Sequence, residues 1–399
     1  MLHTFRSIRM TDQMQWDAVR SPGHPYQSWR FLLAVEEAKP ENAEFWYLVF
    51  TDQTGQYQAT AVLSAFKMSL SVLADGDPTI RRLEKIWPTL FQFKMLMCGI
   101  PVSAGQHQFA YNFGVEAAKI HEGIAQKMAE IAKEQKIKLL SIKELRRKDL
   151  DGTDAYLSNG YLLAQSPSSH LLTIRWHSFA AYLADLKHSH RRQIITDMYK
   201  MQVTTPRIMS AKEYDPTDEQ PRWVIGGQNY CTPELFCTMY LEVLGHTKTK
   251  LETLETPFFE ALFKVPQLEL LSIIHKGKVI STVLLIQQGS ELVWMFIGKY
   301  GEKDSQYQSY FNMMHGIIEL AIQRGCKTIS LGQTTDEPKM RRGGIPQARY
   351  FFIKATNTFF NRILRTYKKT LFPDPVLPQI NPFNKFALET QSSESIEVG

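Results

Sequence analysis

Apolar positions along the chain switch between a helical period and short strand-sized runs, and the switches outline an α/β protein. The turn residues Ser21-Pro-Gly-His-Pro-Tyr26 lead into a short helix from Trp29 to Glu37. The apolar runs Phe45–Phe50 and Gln58–Phe66, separated at Gly55, read as strands, and Phe91–Met97 as a third. From Val115 to Glu134 the spacing turns helical, with Ala117, Ile120, Ile124, Met128 and Ile131 on one face. Ile137–Ile142 and Tyr161–Ile174 then return to strand.

The second half repeats this order. Ser178 caps a helix that the pattern extends to Tyr199, with Phe179, Tyr182, Leu183 and Leu186 facing inward. Thr232-Pro233 opens another that stops at Gly245, and Thr256-Pro257 opens a third with the same signature. Leu268–Ile274, Val279–Gln287 and Glu291–Ile297 predict three strands, the first two joined by a turn at Lys276-Gly277. Ser305–Arg324 predicts a long helix with Tyr307, Phe311, Met314, Ile318 and Ala321 inside. Gly325 ends it before a strand at Lys327–Leu331. Three antiparallel strands, a long helix and a strand returning beside them is the order of the GNAT (N-acetyltransferase) fold. It occurs twice, so the expectation is two tandem GNAT-like domains, each a mixed, mainly antiparallel sheet flanked by helices. Residues 1–175 and 176–372 form the domains, the second carrying the catalytic groups, and 373–399 is a proline-spaced polar tail that packs loosely or frays.

Charge and composition narrow the partners. The 399 residues hold 46 Lys and Arg against 40 Asp and Glu, and a net charge of +6 over this length is too small to argue for nucleic acid. Cys98, Cys231, Cys237 and Cys326 match no zinc spacing and read as reduced thiols. The opening MLHTFRSIRM lacks the apolar core of a secretory signal, and no run approaches the ~20 residues of a membrane helix. The expectation is a soluble cytoplasmic protein with no metal. An aromatic content of 12% with 15 Met fits either a large core or an apolar tunnel for a long substrate.

More specific text lies in the second half. Phe311-Asn312-Met-Met-His315-Gly-Ile-Ile-Glu319-Leu-Ala321-Ile-Gln-Arg-Gly325 runs into Ser330-Leu-Gly332-Gln333 and then Lys339-Met-Arg341-Arg342-Gly343-Gly344. This resembles the acetyltransferase-like family labelled peptidogalycan biosynthesis, which is related to the Fem-type peptidyltransferases with their two GNAT-like domains. His24-Pro25-Tyr26 with Phe31-Leu32 and Val35-Glu36 is similar to the family's opening. Phe179…Tyr182-Leu183…His190-Arg191-Arg192 and Phe258-Phe259 are similar to two later elements. The resemblance spans residues 20 to 360 and implies acyl transfer to an amine.

One departure concerns the donor. Acetyl-CoA-dependent GNAT enzymes carry a glycine-rich loop before the long helix, where backbone amides hold the pyrophosphate. Here the loop is Lys299-Tyr-Gly301-Glu-Lys303-Asp-Ser305-Gln306, with one glycine and two acids. Gly105-Gln106-His107-Gln108…Asn112-Phe113-Gly114 in the first half lacks the motif too. A donor held by a carrier, either acyl carrier protein or aminoacyl-tRNA, fits better than free acetyl-CoA, and no permanently bound cofactor is expected.

Amine acylation needs a base for the attacking amine and an acid for the leaving group. Glu242 and His246, four apart on one helix face, are a base with its orienting carboxylate, or a plain surface pair. Tyr300, at the end of the third strand, is a candidate acid, and Gln106, His107 and Tyr111 are its counterparts in the first half. Asp336, beside Glu337, is a second candidate base, or part of a salt-bridged turn. Lys339, Arg341 and Arg342 would bind a donor phosphate or an acceptor carboxylate, where the bland reading is a solvated hairpin. Gln333 joins them as a substrate-binding residue. Asn312 is a further candidate, although Gln308, Asn312, His315 and Glu319 also read as the solvated face of the long helix. The run Lys187-His188-Ser-His190-Arg191-Arg192 is either a docking patch for an acidic protein or a solvated helix. The resulting expectation is an N-acyltransferase taking a medium or long acyl group from a CoA or acyl-carrier-protein thioester to an amino-acid or peptide amine. The alternatives are a Fem-type aminoacyl-tRNA-dependent peptidyltransferase, disfavoured by the lack of a heptad arm, and a non-catalytic peptide or glycan recognition protein.

Overall fold

The computed structural model describes residues 1–19, 25–69, 92–102, 105–245, 253–301, 306–333 and 335–384. The chain divides into two compact units. One comprises Met1–Ser168, His246–Pro266 and Gln347–Val376. The other comprises Ser169–Gly245, Gln267–Pro346 and Leu377–Gly399.

In chain order the first elements are β1 (Leu2–Phe5), α1 (Gln13–Val19), α2 (Trp29–Ala38), β2 (Glu44–Thr51) and β3 (Tyr57–Ser69). β4 (Gln92–Cys98), β5 (Phe109–Tyr111), α3 (Ala117–Glu134), β6 (Leu139–Leu145), α4 (Asp154–Ser158) and β7 (Leu162–Thr173) follow. Then come α5 (Phe179–Asp185), α6 (His188–Lys200), β8 (Ile208–Ser210), β9 (Arg222–Ile225), α7 (Pro233–Gly245) and α8 (Thr256–Leu262). β10 (Leu268–His275), β11 (Lys278–Gln288) and β12 (Glu291–Lys299) precede α9 (Ser309–Gln323), β13 (Thr328–Gln333) and α10 (Asp336–Met340). β14 (Ile345–Ala355), α11 (Thr358–Thr366) and α12 (Lys368–Leu371) close the series.

In the first unit the strand order is β1-β2-β3-β4-β6-β14-β7, with β5 on β3. β4 and β6 are parallel, and α3 falls between them in sequence. Its face of Ile120, Ile124, Met128 and Ile131 is buried against Leu96, Leu140 and Phe352. In the second unit Ser169–Thr173 of β7 pairs with β13, and the order continues β13-β12-β11-β10-β9-β8. β12 and β13 are parallel, with α9 between them in sequence burying Met313, Met314, Ile317, Ile318 and Ala321. Each unit is therefore a mainly antiparallel sheet in which one parallel pair brackets a long helix in sequence, with β8 and β9 a second parallel pair in the second unit, the tandem GNAT-like arrangement. Met128, Met198, Met201, Met313 and Met314 lie in the two cores beside aromatics such as Trp46, Tyr156, Phe352, Trp223 and Tyr182, which accounts for part of their abundance.

The expected contiguous halves differ from the units. Residues 256–262 and 347–372, expected in the second domain, and 373–376 of the expected tail belong to the first unit, because α8 packs on α2 and β14 pairs antiparallel with β6. Two helices also depart from expectation. The helix predicted from Ser178 to Tyr199 breaks at Leu186-Lys187, where Leu186 bridges to Phe383 and the Lys187 N–H donates to Pro382 O. The one predicted from Ser305 begins at Ser309, since Gln308 takes a left-handed φ of 47°. The tail does not fray through Asn384: Phe383 is buried on Trp176, with Arg175 over its ring. Lys276 and Gly277, both at positive φ, make the two-residue hairpin turn that the sequence predicts.

Candidate active site

In the second unit, β12 and β13 pair from Glu291–Thr328 to Val293–Ser330, and there the parallel ladder stops. Both strands carry an extra residue just beyond. Leu284 lies opposite Phe296 and Leu285 opposite Trp294, leaving Met295 as a bulge on β12. On β13, Ser330 lies opposite Leu171 and Gln333 opposite Ser169, so a residue is inserted between them. Bulges bend a strand and re-aim its end, and the ends of this pair carry the candidate chemistry.

Tyr300 and Gly301 follow β12. Glu242 reaches them from α7, accepting the Gly301 N–H through Oε2 at 2.8 Å. The approach depends on Gly298: a Cβ there would lie 2.9 Å from Met239 Cβ and 3.2 Å from Phe236 O, so α7 lies against bare backbone. One turn past Met239 and Tyr240, Glu242 stands at the strand end. Thr232 and Pro233 start that helix as predicted, with the Leu235 N–H donating to Thr232 Oγ1 at 3.3 Å. Burial, then the charge of Glu242, raises the Tyr300 pKa, so the phenol keeps its proton at neutral pH. Burial pushes the Cys231 thiol up to about 11, so it too keeps its proton at neutral pH. His246, the expected partner of Glu242, lies outside the described residues, as do Glu302, Lys303, Asp304 and Ser305 of the donor loop.

At the end of β13 the freed carbonyls of Gly332 and Gln333 accept from Lys339 Nζ at 3.2 and 2.7 Å. Lys339 is buried, and burial lowers its pKa to about 7 while Asp336 pulls the other way. Asp336 Oδ1 stands 3.5 Å from Nε2 of His170, a buried residue of β7 opposite the inserted stretch of β13. Burial, then the nearby Lys339 cation, lowers His170 to about 4, so the ring is neutral.

Arg342, expected to bind substrate or else to belong to a solvated hairpin, is buried within its unit. It is 2% exposed, with Nη2 donating to Asp197 Oδ2 at 2.7 Å, Nε to His315 Nε2 at 3.1 Å and Nη1 to Pro338 O at 3.1 Å. Its guanidinium also covers the Phe311 ring. Asn312 spends both amide hydrogens on Asp197 O and Tyr307 O, each at 2.7 Å, and its Oδ1 meets His315 Nδ1 at 3.2 Å. This side of α9 is core, which corrects the solvated-face reading: Asn312 and His315 are fully buried, Asn312 bonded to Asp197 O of α6 and His315 to Arg342. Arg342 and Asn312 are thus committed within the fold. Arg341 remains at the surface, in an i,i+4 ion pair with Glu337 at 2.6 Å.

In the first unit His107 Nε2 stands 3.4 Å from Asp149 Oδ2, and the Gln106 N–H donates to Glu144. Burial opposes the Asp149 charge, but hydrogen bonds from His107 and Arg146 hold its pKa well below the usual range. Tyr111 belongs to β5, paired with Ala59. His107 and Tyr111 thus share Asp149 as a neighbour within that unit, and Gln106 is tied to Glu144 instead. Among the described residues no set of three His, Cys, Asp or Glu is placed to hold a metal, and no helix is long and apolar enough to cross a membrane.

A family model named FemAB_like and described as "Peptidogalycan biosysnthesis/recognition" matches residues 92–371, well over half of the chain. The protein belongs to the FemAB-like family. Among solved structures, "Crystal structure of FemX" aligns with a TM-score of 0.54 at 11% identity, covering 91% of this chain and 99% of that one. "Tandem GNAT protein from the clavulanic acid biosynthesis pathway (without AcCoA)" aligns at 0.50 and 10% identity, covering 90% and 99%. At such identities the likeness is one of fold. No curated protein matches the sequence.

Of the candidates in this FemAB-like chain, Glu242 and Tyr300 come together, and so do Gln333, Asp336 and Lys339. His170 and Asp197 are absent from the sequence-derived set. Asp197 sits among polar helix residues and His170 in an ordinary strand, so neither has a local signal.

Proposed function

We propose that this FemAB-like protein is a transferase that moves an acyl group from an activated carrier to a primary amine, with the reacting groups at the ends of β12 and β13. The observation that carries the reading is the Glu242–Gly301–Tyr300 grouping where β12 leaves β13. The acceptor amine attacks the acyl carbonyl and a C–N bond forms. The amine proton passes to the Glu242 carboxylate. The bond from the carbonyl carbon to the carrier sulfur or oxygen then breaks, and the Tyr300 phenol supplies the proton to that leaving group. No acyl-enzyme is needed.

Gln333 and Asp336 are assigned to the acceptor side, on the loop that Lys339 pins to the end of β13. Arg341, exposed beside that loop, is assigned to an acceptor carboxylate or a donor phosphate. Peptide amines are the acceptor class that fits both the carboxylate recognition and the family description. The donor is an acyl-CoA, an acyl carrier protein thioester of medium or long chain, or the aminoacyl-tRNA that FemAB-like membership favours equally.

The test is intact-mass measurement of candidate peptides after incubation with acyl-CoA, acyl carrier protein and aminoacyl-tRNA donors. Wild type adds one acyl mass per amine, and Glu242→Gln slows the addition by about 100-fold or more. Undiminished transfer by E242Q overturns the site, and no transfer from any donor overturns the activity.

A further inference from the structure

After β14 the chain forms α11 and α12, and none of their residues is buried. α11 is nonetheless strongly two-sided. At helical spacing Phe359, Phe360, Ile363, Leu364 and the following Tyr367 share one arc, with Asn361, Arg362, Arg365 and Thr366 opposite. An amphipathic helix of a folded unit normally turns its apolar arc inward. Here Phe359, Phe360 and Tyr367 remain 68%, 59% and 56% exposed. The tie to the rest of the unit comes from the polar side: Asn361 Nδ2 donates to Gly160 O at 2.9 Å, and its Oδ1 accepts from the Ala355 N–H at 3.0 Å. Asn357 caps the first turn by accepting from the Phe359 and Phe360 N–H groups. The aromatic pair is held outward by hydrogen bonds on the opposite face.

Charge identifies what would cover it. From Pro338 to Pro373 the chain has no Asp or Glu, while Arg362, Arg365, Lys368 and Lys369 lie on the two helices. Elsewhere acids balance the bases closely, so the modest net charge of +6 conceals a concentrated basic segment. Cations beside exposed Phe359 and Phe360, with half-buried Ile363 and Leu364 on the same arc, are the combination that seats a helix in the headgroup region of an anionic bilayer, with rings in the acyl boundary and basic groups at the phosphates. RNA would use the cations but has no need of the aliphatic Ile363 and Leu364.

We infer that α11 and α12 dock the protein on an anionic membrane surface. The inference is independent of the transfer reading and adds a place where the acceptor would be met. It is tested by flotation of the full chain with vesicles of phosphatidylglycerol and phosphatidylcholine, without any turnover assay. The expected result is partition at least about tenfold higher than with phosphatidylcholine alone, weakened by 0.5 M salt. Phe359→Ser/Phe360→Ser should lower it by about tenfold or more. Both side chains are exposed, so this variant keeps its fold, checked by circular dichroism. Equal partition to both vesicle types overturns the proposal, and so does binding unaffected by the double substitution. Tighter binding to bulk tRNA than to vesicles overturns it as well. Self-association lost in the variant, without vesicle binding by wild type, assigns the face to a second copy instead.

Discussion

At His315 the imidazole sits between Asn312 and the Arg342 guanidinium, and burial followed by that cation holds its pKa well below the ordinary value. His121 and His170 are lowered to about 4, chiefly by burial. All three are neutral in the folded chain at pH 6, whereas an unfolded chain protonates them below about 6.5. The unfolded state then binds more protons, so stability falls as pH drops from about 6.5 toward 4. We expect a loss of about 1 kcal/mol per histidine at pH 5.5 relative to pH 7.5, read from urea unfolding. His315→Gln should remove its share of the slope; an unchanged slope contradicts the buried neutral assignment. None of this was legible in the sequence. Asn312 and His315 sit opposite an apolar stripe and look solvated, but α9 is covered on that side too, by α5 and α6. The covering partner, Asp197, lies far away in sequence, and a polar residue that meets a distant partner leaves no periodic trace.

At the scale of elements, the contact between α7 and β12 sets where Glu242 stands. Gly298→Ala forces Met239 and the α7 backbone outward, and a cost of about 1–3 kcal/mol is expected in urea unfolding. The same variant should reduce any transfer activity, because Glu242 moves with the helix. Gly245→Ala is the control. A Cβ there meets nothing within 4 Å, so its effect should stay within about 0.5 kcal/mol. If G298A is as harmless as G245A, the close approach does not position Glu242. The strands and helices that the pattern named were legible because each apolar run is long and bounded by Gly, Pro or Thr-Pro signals, whereas β1, β5, β8, β9 and β14 went unpredicted. The bulge at Met295 was not, since one inserted residue in a buried strand leaves the hydrophobic pattern unbroken. The breaks at Lys187 and Gln308 were equally silent, the first because its cause is the tail docking at Pro382 and Phe383.

Across the whole molecule, the segment from Leu377 to Asn384 belongs to the second unit. Gly343 makes room for it: a Cβ at that position would lie 2.3 Å from the Phe383 ring. Phe383→Ala should cost about 3–5 kcal/mol in chemical unfolding of the full chain. A loss under about 1 kcal/mol would show that the tail is dispensable. The sequence made this segment look loose because its prolines preclude regular structure, although a prolyl stretch still delivers one aromatic anchor. The duplicated architecture was legible from element order alone. The division of segments between the units was not, because pairing of β14 with β6 depends on strands far apart in the chain.

That exchange bears on synthesis. β14 lies between β6 and β7 in the first sheet, yet about 200 residues separate Leu145 from Ile345. At ordinary translation rates the ribosome takes roughly 10–40 s to make that interval. Throughout it the nascent first unit lacks its inserted strand, and the hydrogen-bonding edge of β6, with Leu140 and Ile142, stays open to any passing chain. The second unit can complete most of its sheet while the first is still waiting, so the N-terminal part of this polypeptide is among the last to close.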